Sequence, residues 1–133
     1  MRLPDSDEAQ IPRAKIADYL LSLTHPEGRG KALFFYAFGF VAEAWEVLAD
    51  ALREHARAND IAKVETTPYG TRYVVEGAMN APDGRTPNVR AVWFVDSGET
   101  VPRFVTAYPL DVMPIMNLAP PTGKEQNNGT GTG

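Results

Sequence analysis

The 133-residue sequence contains no cysteine, which excludes disulfides, thiol nucleophiles and thiolate-held zinc together. Histidine is scarce as well: there are only His25 and His55, and no carboxylate cluster accompanies either, so neither a metal site nor a cofactor is expected. Long hydrophobic runs are missing. Even "ALFFYAFGFVA" is ended by Glu43, well short of the roughly 20 residues that span a bilayer, so the chain is not expected to cross or anchor in a membrane. The opening "MRLPDSDEAQIP" has no hydrophobic signal core, and the expected location is cytoplasmic. A basic excess is also lacking: the net charge is −4, which disfavours strong non-specific binding to nucleic acid. Residues 60 to 110 nevertheless hold five basic side chains against six acidic ones, which leaves room for a local basic patch.

What is present belongs to one ordinary globule. With 44% hydrophobic and 23% charged residues, the chain can bury a single core without covalent staples. Ile16, Tyr19, Leu20 and Leu23 recur at helical spacing in "RAKIADYLLSL", with Pro12 at the first turn and Pro26 and Gly28 as stops. "GKALFFYAFGF" is apolar on all sides and reads as a buried second helix ending near Gly39. "AEAWEVLADALREHARAND" reads as a third, with Trp45, Leu48 and Leu52 on one face and Glu43, Glu46, Asp50 and Glu54 on the other. His55 falls near the end of this helix on its expected exposed side, where the dipole favours an imidazolium.

After Asp60 the period changes to two, and four strands are predicted at about 61–67, 71–79, 88–96 and 101–108. Short connections through "PYG", "NAPDGRTP" and "SGET" imply an antiparallel meander covered on one face by the helices, an α+β fold. Residues 1–110 form the expected domain; 111–133 read as an extended arm followed by a disordered Gly/Thr/Asn tail.

Alternation assigns the faces. Val89, Ala91, Trp93 and Val95 are expected inward, as are Tyr73 and Val75, and in the fourth strand Phe104, Thr106 and Tyr108. Arg72, Arg90 and Arg103 then share the helix-free face with Glu76 and Asp96. Guanidinium forks placed so can hold a phosphate or carboxylate, or can simply pair across strands on a solvated face.

"THPEGRGK" is not a nucleotide-binding loop of the Walker type: Ala32 follows Gly30-Lys31 where Ser or Thr should ligate magnesium, and His25 stands where a glycine is required. It leads into a helix N-terminus, where backbone N–H groups, Arg29 and Lys31 favour an anion and His25 supplies an imidazole able to act as acid or base. The competing reading is a plain helix-to-helix turn. Arg85, at the tip of "PDGR", is a turn residue first and a ligand contact second.

The "THPxG" turn, the "YGxxYxVxG" strand, the "PDGR" loop, the "VW" strand and the "PRxVTAYP" ending together resemble the bacterial family catalogued as domain of unknown function 6883 (DUF6883). Leu23 departs from the pattern, standing where a turn-favouring residue is expected. The resemblance implies a module of the kind found at the C-terminal ends of toxin-like chains, with a layout similar to small metal-independent ribonuclease toxins. On that analogy His25, Arg103, Tyr108 and Thr106 are the catalytic candidates, and Arg29, Lys31, Arg72, Arg85 and Arg90 the phosphate-binding ones. The alternative is a non-catalytic module that binds a protein partner, such as a member of a toxin/antitoxin pair.

Overall fold

A computed structural model describes residues 1–25 and 29–110 of the protein; the expected arm and tail at 111–133 lie outside the described residues. A short 3-10 turn, Ser6–Glu8, precedes the first helix, α1, which is α-helical over Arg13–Lys15 and π-helical over Ile16–Leu20. Helix α2 spans Arg29–Ala37; a 3-10 turn, Ala42–Ala44, leads into α3, Trp45–Ala58. Strands β1 (Ile61–Thr67), β2 (Gly70–Ala78), β3 (Asn88–Asp96) and β4 (Arg103–Pro109) follow as an antiparallel meander in the order β1-β2-β3-β4. The α+β class, with N-terminal helices on a four-stranded antiparallel sheet, is the one the periodicity predicts.

Helices α1 and α2 lie against β4, and α3 against β2. Between helices and sheet sits one apolar core that includes Ile16, Leu20, Phe35, Leu48, Leu52, Trp93 and Phe104, each at most 1% exposed. The Trp93 and Phe104 rings meet edge-on at 5.4 Å across β3 and β4. Helix α2 ends where Gly39 takes φ 101°, a left-handed value that costs glycine little. It is less enclosed than its composition implies, because Leu33 remains 55% exposed.

Two further expectations fail for physical reasons. His55 is not at a wet helix end: it is 1% exposed, and its Nε2–H donates to the Val89 carbonyl of β3 at 2.8 Å. Its place on α3, seven residues after Leu48 and three after Leu52, puts it on the apolar stripe rather than beside the acids. The parity of β4 also changes partway. Trp93 pairs with Phe104 but Val92 pairs with Thr106, so Val105 is an extra residue without a partner in the ladder. Phe104 stays inward as expected, whereas beyond the bulge Ala107 is the buried core residue and Thr106 and Tyr108 turn to the face of Val92 and Arg90.

Candidate functional site

Two backbone irregularities meet where α1 crosses the edge of β4. In α1 the π turn widens the helix by one residue, with Leu21 N–H donating to the Ile16 carbonyl at 2.8 Å, and this lets Ile16, Leu20 and Leu21 all point into the core. Asp18 and Tyr19 are left on the rim. Opposite them the β4 bulge presents Val105 and Thr106. The space between is a cavity of about 540 Å³ lined by Ala14, Lys15, Asp18, Tyr19, His25, Val105 and Thr106.

The loop after α1 brings in His25. Ser22 Oγ accepts from the Thr24 and His25 backbone N–H groups at 3.3 and 3.1 Å, holding the turn, and the His25 ring meets Tyr19 edge-on at 4.9 Å. From the first turn of α2, the Lys31 ammonium donates to the Tyr19 hydroxyl at 2.5 Å and to Thr106 Oγ1 at 3.2 Å. It also faces the rings of Tyr19 and Tyr108, at 4.9 and 5.9 Å. Among the described residues no carboxylate forms an ion pair with Lys31. Its charge is therefore presented to the hydroxyls of Tyr19 and Thr106, two residues that line the cavity.

Next to Lys31 on the open sheet face, Arg90 Nη1 donates to the Tyr108 hydroxyl at 3.3 Å while Nε donates to Glu76 Oε2 at 2.6 Å. These bonds, to Tyr108 first and Glu76 second, push the Arg90 guanidinium still further toward its charged form. Because the arginine donates to the phenolic oxygen, the Tyr108 O–H hydrogen remains free to be given elsewhere.

His25 and Thr106 thus line the cavity, Lys31 joins them through Tyr19 and Thr106, and Tyr108 and Arg90 follow beside Lys31, whereas the side chains of the other candidates are not part of this series of contacts. Arg103 shares the open face with Arg72 and Arg90, yet it is not among the cavity-lining residues: its Nε and Nη2 donate to Asp96 at 2.9 and 3.2 Å. Arg72 Nη1 donates to Glu65 at 2.7 Å across β1 and β2. The three guanidiniums are indeed on one side, each paired with a carboxylate. Arg85 fastens its loop to α2, donating to the Ala37 carbonyl at 2.8 Å with its guanidinium 4.2 Å above the Phe38 ring. Arg29 is exposed and opens α2, its N–H donating to the His25 carbonyl at 3.0 Å. Tyr19 is the member that sequence reasoning took for a plain helix-face residue; only the π turn shows that it faces the cavity. Among the described residues there is no group of three or more His, Asp or Glu side chains arranged to hold a metal ion.

Three helices on one face of a four-stranded meander, with a cavity at the bulged edge strand, define a small α+β domain. The chain belongs to the family described as "Domain of unknown function (DUF6883)", whose model matches residues 2–111. Comparison with curated proteins returns no match. Among solved structures, the chain is similar to one in a "Contact-dependent growth inhibition toxin - immunity protein complex from Klebsiella pneumoniae 342", at 22% identity and a TM-score of 0.59, over 74% of this chain and 97% of that one. At that identity the likeness is one of fold.

Proposed function

We propose that the protein is a toxin-like, metal-independent ribonuclease with its catalytic centre at the α1/β4 cavity. The placing of His25 and Thr106 on one cavity, with Lys31 bonded to Thr106 and Tyr108 and Arg90 beside it, carries this reading. The fold shared with a chain of a toxin–immunity complex supports it.

In the proposed reaction His25 takes the proton of a ribose 2′-OH, the 2′ oxygen attacks the adjacent phosphorus, and the bond from phosphorus to the 5′ oxygen breaks. Tyr108 gives its proton to that departing oxygen. The products are a 2′,3′-cyclic phosphate and a 5′-hydroxyl end, so no metal or co-reactant is consumed. Lys31 and Arg90 stabilise the charge that builds on the phosphorane oxygens.

The test is incubation of purified protein with total RNA in excess chelator. Cleavage is expected, with His25→Ala and Lys31→Ala each slowing it by roughly 100-fold or more. Intact RNA throughout the neutral range would overturn the proposal.

A second reading, a non-catalytic module for a protein partner, is favoured by one observation: Arg72, Arg90 and Arg103 are each already neutralised, by Glu65, Glu76 and Asp96. On that reading, inducing wild-type protein or the His25→Ala variant in a bacterial host has the same effect on growth. Toxicity abolished by the substitution supports catalysis.

A further inference from the structure

We infer that the open sheet face holds a second subsite, at Phe94 and Arg103, which stacks a nucleobase of single-stranded RNA whose phosphate lies at the α1/β4 cavity. This rests on the ribonuclease reading for the identity of the occupant and extends it along the sheet.

Phe94 stands on the open face of β3, four residues from Arg90, and so about 13 Å from the Arg90/Tyr108 end of the cavity cluster. It pairs directly with Arg72 on one side and Arg103 on the other. Its ring lies against the backbone of Gly70, where an added Cβ would come within 2.7 Å of Cε2 and 2.2 Å of the Val95 carbonyl oxygen. Above the ring sits the Arg103 guanidinium, 5.1 Å from the centroid, with Asp96 gripping Nε and Nη2. Arg103 thus keeps a fixed orientation with its side chain 46% exposed, and its Nη1 is not used in the grip. An aromatic ring topped by an oriented guanidinium on an open sheet is the kind of surface on which unpaired bases stack.

Charge complementarity selects the occupant. On the register of the strands, the open face carries Lys63, Arg72, Arg90 and Arg103 against Glu65, Glu76 and Asp96, with Lys31 at its rim. This is a basic surplus in a chain whose net charge is −4. A polyanion that also offers flat rings fits such a face better than an acidic peptide does.

The experiment separates the subsite from the catalytic centre. Binding is measured by fluorescence anisotropy with a mixed-sequence single-stranded RNA whose 2′-O-methyl groups prevent attack, and cleavage is followed on a ribodinucleotide too short to reach Phe94. Phe94→Leu and Arg103→Lys are each expected to weaken oligonucleotide binding about tenfold. Both should leave the melting temperature and dinucleotide cleavage unchanged, and Phe94→Tyr should bind as the wild type does. Wild-type affinity in Phe94→Leu, or an equal loss on the dinucleotide, overturns the subsite. Binding with this Phe94 dependence but without cleavage by the wild type sustains the subsite and overturns the ribonuclease reading. Failure of the wild type to bind the oligonucleotide overturns the subsite.

Discussion

His55 shows how one side chain changes meaning once its surroundings are known. Burial pushes its pKa below the ordinary 6.5, outweighing the hydrogen bond to the Val89 backbone that acts the other way. The folded protein therefore holds it neutral. In the unfolded chain it takes up a proton as pH falls below about 6.5, so the stability it contributes is complete above that value and is lost progressively toward the lower folded pKa. The carboxylates lowered by arginine partners, Glu65 by Arg72 and Asp96 by Arg103, act in the same direction but only below their own ordinary values of 4.5 and 3.8. Urea unfolding at a series of pH values is expected to show stability declining as pH falls below about 6.5, and His55→Leu should flatten that part of the profile. At pH 7.5 the same substitution should cost about 1–2 kcal/mol, because the Val89 carbonyl loses its donor from α3.

At the scale of elements, the site is made by departures from regularity. A straight α1 would not give Ile16, Leu20 and Leu21 to the core while leaving Tyr19 at the cavity, and an unbulged β4 would alternate without a break from Phe104 to Tyr108. Both irregularities add a single residue, which is why the alternation rule placed Arg72, Arg90 and Arg103 on the correct face but Thr106, Ala107 and Tyr108 on the wrong ones. A bulge leaves little mark in composition: "RFVTAYP" alternates acceptably in either register, and only the opposing Val92 and Trp93 decide between them. The β1–β2 hairpin offers a direct test of element geometry. Gly70 has φ 149°, and a Cβ there would sit 2.2 Å from the Val95 carbonyl oxygen. Gly70→Ala is expected to destabilise the protein by roughly 2–3 kcal/mol, read from the shift of the urea midpoint at unchanged slope.

For the whole molecule, the described elements end with β4, and the family match ends at residue 111. A fragment ending at Leu110 is accordingly expected to unfold in one cooperative transition at the same temperature as the full chain, checked by circular dichroism; a lower or broadened transition would assign residues 111–133 a part in the fold. The sequence by itself determined the division near Asp60 between helical and alternating periods, the meander order, and the gathering of three arginines on one side. These depend on local spacing, and spacing is written along the chain. The tertiary structure alone decided that Lys31 reaches Thr106 from 75 residues away, that Tyr19 rather than Arg103 borders the cavity with His25, and that His55 is core. Those outcomes turn on a one-residue bulge and a one-residue helical widening, whose cost is offset by burying apolar neighbours from distant segments, and no local pattern records that balance.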